Sequence, residues 1–208
     1  MDEELYDRWA ADLGRGRDAT KTLDRLLTRY REPHRQYHAV AHALRVLRTV
    51  DELLAAVAVP DPGAVRLGAW YHDAVYEPTA AAGANEAASA ALSRRDLEAL
   101  EQSPQRVDAV ERLVLMTASH HPAGAAADEA VLCDADMAIL AADPATYTAY
   151  ATGVRAEYGH LTDDEWTRGR GSVLRSLLAE PALFYTPPMH GREATARANL
   201  SAELASIE

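Results

Sequence analysis

One cysteine, one lysine and one phenylalanine stand in 208 residues. Cys133 alone cannot close an internal disulfide, so a disulfide-framed secreted domain is excluded and a reducing, cytoplasmic setting is expected. Lys21 faces twenty arginines, and the formal net charge is −11, which disfavours binding to a nucleic-acid polymer. A phosphate-bearing small molecule stays open, because a metal ion and a few arginines reverse the potential locally. No apolar run approaches the roughly 18 residues of a membrane span. The opening MDEELYDRWAADLG has neither a basic start nor an apolar signal core, so no membrane attachment is expected. Absent too are GxGxxG, the GKS/T phosphate loop, HExxH and GxSxG. No repeat and no Gly/Ser-rich linker divides the chain, and a single domain over 1–208 is expected.

What is there is alanine and helical periodicity, and the expected fold class is all-α. Helices are expected over about 2–13, 18–31 and 36–58, the second stopped by Pro33. Asp61-Pro62 is a cap followed by a first-turn proline, and opens a fourth helix that runs into His72-Asp73. Further helices are expected over about 85–100, from Ser103-Pro104 to 118, over 129–142, from Asp143-Pro144, over 163–179 and over 192–206. Thr162 with Glu165 forms a capping box. HHPAGAAAD reads as a loop, and EPALFYTPPMHGRE as a connector. The last helix or the FYTPP segment offers a surface for a possible homodimer.

Eight histidines cluster instead of scattering. EPHRQYHAVAHALRV holds His34, His38 and His42, with His38 and His42 one turn apart on one face. GAWYHDAVYEP sets His72 and Asp73 side by side among apolar residues, and a carboxylate at the negative end of a helix calls for a cation nearby. TASHHP supplies His120 and His121; CDADMAIL supplies Asp134 and Asp136 in an apolar stretch, where a carboxylate is costly unless paired or ligating. Imidazoles and carboxylates together suit manganese, iron, nickel, cobalt or zinc, and magnesium less. The plain alternatives are core histidines, and a cap or ion-pair role for Asp134. Trp9, Trp70 and Trp166 read as packing, Cys133 as a small apolar residue, and His160 and His190 as surface.

The order His42, His72-Asp73, Asp136 resembles the HD superfamily of metal-dependent phosphohydrolases, whose signature is H…HD…D. HALRV after the first histidine, AVYEP and NEAASA after the pair, HRQYH, DADMAILA and YATGVRAEY resemble an uncharacterised bacterial branch of predicted HD phosphohydrolases. The likeness covers about residues 25–180. It implies an HD-type helical bundle, with His42, His72, Asp73 and Asp136 as metal ligands and Asp134 as the runner-up to Asp136. It implies hydrolysis of a phosphoester or phosphoanhydride, in a nucleotide or related metabolite, by water whose pKa the metal lowers. Glu86, and after it Glu77, is the candidate to orient or deprotonate that water. Arg35 and Arg45 are candidates for holding phosphate oxygens, and His38 and His120 for contacts to substrate or behind the ligands. The rival expectations are a metal-containing nucleotide sensor without turnover, and a structural protein whose histidines only pack.

Overall fold

The computed structural model describes residues 2–123 and 126–208. Gly124 and Ala125, in the expected loop after the histidine pair, lie outside the described residues. All regular structure among the described residues is helical. The elements are α1 (Asp2–Leu13), α2 (Arg17–Tyr30), α3 (Val40–Leu54), α4 (Pro62–Tyr71), α5 (Ala84–Ala99) and α6 (Pro104–Met116). There follow α7 (Ala127–Met137) with a 3₁₀ turn (Ala138–Ala141), α8 (Pro144–Glu157), α9 (Asp163–Ala179), the short α10 (Pro187–His190) and α11 (Glu193–Ile207).

The helix starts are set locally. Asp61 accepts from the Ala64 N–H ahead of Pro62, Ser103 from Arg106, and Asp143 from Ala145 and Thr146. Thr162 and Glu165 close a capping box at α9. Two expected helices differ. Residues 36–39 are not helical and α3 begins at Val40; the helix expected over 129–142 ends at Met137 and tightens into the 3₁₀ turn.

α4 is the central element. Eight of its ten residues are buried, and it packs on α1, α3, α5, α6 and α7. Gly68 permits this: a Cβ there would stand 3.1 Å from Leu132 Cδ2 and 3.3 Å from Leu113 Cβ. Trp9 meets Trp70 edge-on at 5.5 Å, and the buried Tyr30 hydroxyl donates to the Trp70 carbonyl at 3.0 Å, satisfying one of the orphan acceptors at the α4 C-terminus. The end of α4, where His72 and Asp73 follow, is therefore held in the core against α3 and α7. Buried apolar side chains from α1 through α11 form one cluster. In the FYTPP segment Phe184 and Thr186 are buried, Tyr185 is half-buried, and Pro187 and Pro188 are exposed. No helix among the described residues is long and apolar enough to cross a membrane.

Candidate metal centre

His42 comes from the first turn of α3, His72 caps the C-terminus of α4, Asp73 follows in the turn, and Asp136 lies near the end of α7. His42, His72 and Asp73 each offer a ligand atom, all within 4.8 Å of one another, a group that could hold a metal ion. His42 Nε2 stands 2.9 Å from His72 Nε2 and 3.2 Å from both Asp73 Oδ2 and Asp136 Oδ1. His72 Nε2 stands 3.1 Å from Asp73 Oδ2 and 3.5 Å from Asp136 Oδ1. Around an ion bonded at about 2.0–2.2 Å, ligand atoms at right angles lie about 3.0 Å apart and tetrahedral ones about 3.4 Å. The observed separations fall in this range, and the donor set fits a divalent transition metal.

The imidazoles are aimed by what lies behind them. His72 Nδ1 donates to the Ala69 carbonyl at 2.9 Å, so Nε2 is the nitrogen turned toward the cluster. His42 Nδ1 is buried with no hydrogen-bond partner among the described residues. Both rings are buried, while the carboxylates keep 19% and 13% exposure and form part of the wall of a cavity. Burial alone would push the Asp73 and Asp136 carboxyls up. The charge of His72 and hydrogen bonds from the histidines outweigh it and hold both well below the usual carboxylate range. Burial would likewise push His72 down, and the two aspartates hold it well above the usual histidine value. The cluster thus favours positive charge at its centre.

The cavity has a volume of about 620 Å³. His38, His120 and Glu86 line it with Asp73 and Asp136, and Tyr76, Tyr150, Tyr158 and Trp166 supply aromatic walls. His120 has a left-handed backbone, φ 52°, its N–H bonding back to Met116 O. That turn brings Nε2 to 2.8 Å from Asp136 Oδ2. His38 stacks on Tyr76 with centroids 4.3 Å apart and bonds through Nδ1 to Glu157 Oε2 at 2.6 Å.

Several candidate residues fall elsewhere. Asp134 is fully buried and faces the connector, where it accepts from the N–H groups of Tyr185 and Thr186 and from the Thr186 hydroxyl. Two positions along a helix turn a side chain by about 200°, so Asp134 and Asp136 cannot face the same partner. Arg35 is not a phosphate fork: its side chain is 0% exposed, donates to the carbonyls of His38, Asp73 and Ala74, and is flanked by the Tyr30 and Tyr76 rings. It latches the α2–α3 loop to the His-Asp turn. Arg45 lies over the Tyr37 ring and does not line the cavity. Glu77 is exposed, accepts from Thr79, and lies off the cavity wall. Trp166 is a cavity wall, in contrast to the packing expected of it; Trp9 and Trp70 are core.

Glu157 escaped the sequence. Its Oε1 accepts three consecutive N–H groups, of Gln36, Tyr37 and His38, at 2.8, 2.7 and 2.9 Å. Its Oε2 accepts from His38 Nδ1 and from the Tyr76 hydroxyl. The three N–H groups ahead of α3 are thus satisfied by one side chain, which fixes the non-helical path of residues 36–38 into the helix. Asn85 and Ser89 were missed also. They pair with the backbone of Glu77 and Val75, pin the segment after Asp73 to α5, and leave Glu86 in the cavity wall. No protein-family model, no curated protein and no solved structure matches this chain.

Proposed function

We propose that this chain is an HD-type, metal-dependent phosphohydrolase that cleaves a phosphoester or phosphoanhydride bond in a nucleotide or related small metabolite. The observation that carries the reading is the convergence of His42, His72, Asp73 and Asp136 donor atoms, 2.9–3.5 Å from the imidazole nitrogens, at the wall of an aromatic-lined cavity. The histidines would hold the ion from beneath and the two carboxylates from the cavity side. A bound divalent ion supplies Lewis acidity to a phosphoryl oxygen and a lowered pKa to a water.

The chain's own residues do the rest. Glu86 is the cavity carboxylate outside the ligand cluster, and takes the role of accepting a proton from the attacking water. His38, its Nδ1 tied to Glu157, presents Nε2, free of protein partners among the described residues, to a substrate hydroxyl or water in the cavity. His120, bonded to Asp136, supports that ligand and completes the polar wall. Tyr76, Tyr150, Tyr158 and Trp166 give a planar ring apolar faces to lie against and shelter the reacting centre from water.

The test is elemental analysis of untagged protein beside Asp73→Ala, with hydrolysis of phosphoester and phosphoanhydride substrates followed on both. About one transition metal per chain and turnover, both lost in the variant, is the expected result. Full activity in Asp73→Ala would end this reading. Nucleotide binding without product would favour the sensor instead.

A further inference from the structure

Resting on that reading, we infer that the cavity selects a substrate with a single phosphoryl group of low charge, the phosphomonoester or phosphodiester of an aromatic-bearing alcohol such as a nucleoside, and rejects polyphosphates. Three carboxylates line the cavity: Asp73 and Asp136 at the metal centre and Glu86 on the wall. The one arginine or lysine among the described lining residues is Arg170. Its guanidinium is already neutralised. Nε and one terminal nitrogen bind Glu203 at 2.7 and 2.9 Å, that nitrogen also donates to Tyr150 Oη, and both charged side chains are 8% exposed. The imidazoles offer little more, since His38 is bonded to Glu157 and His120 to Asp136, each with one ring nitrogen so engaged.

Polyphosphate sites work otherwise. They present free guanidinium or ammonium groups, or helix N-termini with bare N–H groups. The α5 N-terminus does reach this cavity through Gly83 and Asn85, but Glu86 sits in its first turn and satisfies the dipole with the protein's own negative charge. A divalent ion against three carboxylates leaves the site without surplus positive charge. Each further phosphoryl group therefore adds repulsion that no side chain offsets, about tenfold in affinity per group at the effective dielectric of a protein surface. The aromatic walls and a volume of about 620 Å³ accommodate a mononucleotide-sized ligand.

For AMP the step balances without a further reactant: a water oxygen bonds to phosphorus, the ribose ester P–O bond breaks, and the alkoxide takes a proton, giving adenosine and phosphate. The experiment titrates the full chain with AMP, ADP and ATP by calorimetry, with manganese and again with chelator, and follows hydrolysis in parallel. AMP is expected to bind about tenfold more tightly than ADP and about a hundredfold more tightly than ATP. Glu86→Lys is expected to narrow that spread in both metal states. ATP binding as tightly as AMP, or no binding by any of the three, overturns the inference. ATP hydrolysed in preference to AMP overturns it while leaving the phosphohydrolase reading intact. AMP bound selectively but no ester hydrolysed upholds the charge selection and ends the phosphohydrolase reading.

Discussion

Replacing Glu157 by glutamine changes one oxygen to an amide nitrogen and tests how the cavity histidine is held. In the native protein the Glu157 side chain is 0% exposed, and five donors converge on its carboxylate. Burial alone would push its carboxyl up. The hydrogen bond and charge of His38, with the N–H groups of His38 and Tyr37, win and bring it from the ordinary 4.5 to about 2. Glutamine keeps an acceptor for the three backbone N–H groups. Its amide, however, meets His38 Nδ1 and the Tyr76 hydroxyl as a donor. The tyrosine hydroxyl can rotate and accept. His38 can accept there only after giving up its Nδ1 proton, so any proton it keeps sits on Nε2, facing the cavity. Hydrogen bonds to a charged group contribute about 1.5–3 kcal/mol each, and exchanging one such set for neutral bonds costs about 2–3 kcal/mol. For a chain of this size that is a fall in Tm of about 4–12 °C. Calorimetry with chelator present reads the stability, and ¹⁵N NMR of the imidazoles reads the tautomer. A Glu157→Gln protein that melts within about 2 °C of the parent, with His38 still protonated on Nδ1, would refute the reasoning.

The same carboxylate fixes a pH dependence. Its folded pKa is depressed, so its contribution is present above the unfolded value of 4.5 and is lost as pH falls toward about 2; the Tm gap between parent and Glu157→Gln should close across that window in a pH series of melts. Arg35→Met leaves the His38, Asp73 and Ala74 carbonyls without their charged donor and should cost about 3–5 kcal/mol, a Tm drop of at least about 6 °C by circular dichroism; an unchanged Tm would return Arg35 to the list of substrate contacts. Asp134→Ala should lower Tm by a similar amount and keep the metal, whereas Asp136→Asn should lose more metal affinity than the roughly 10–100-fold that contacts behind the ligands control; the reverse pattern in elemental analysis would exchange their roles. Manganese at about a hundred times its Kd should raise Tm by about 5–11 °C in the parent and not in Asp73→Ala, read by differential scanning fluorimetry.

Helices with local start signals were legible because each signal lies within one turn of what it caps: Asp61, Ser103, Asp143 and Thr162 each meet an N–H no more than three residues on. The ligand candidates were legible for a related reason. A histidine or aspartate inside an apolar helix face is costly wherever the chain goes, so His42, His72 and Asp73 declare themselves before any packing is known. What stayed hidden depends on partners distant in sequence. Residues 36–38 read as the start of a helix, yet α3 begins only at Val40, and a carboxylate 119 to 121 residues downstream gathers the N–H groups ahead of it. Arg35 has the chemistry of a phosphate fork, and only the arrival of the Asp73 and Ala74 carbonyls against its guanidinium shows that it binds backbone. Asp134 and Asp136 are chemically alike and face opposite ways. α7 is buried on both sides, and periodicity alone does not show which side faces the cavity. The positioning groups Glu157, Arg35, Asn85 and Ser89 all act on backbone, a target common to every residue that leaves no sequence signature. In this chain, then, the groups with ligand chemistry can be read from composition and spacing, while the groups that aim them can be read only once the helices have met.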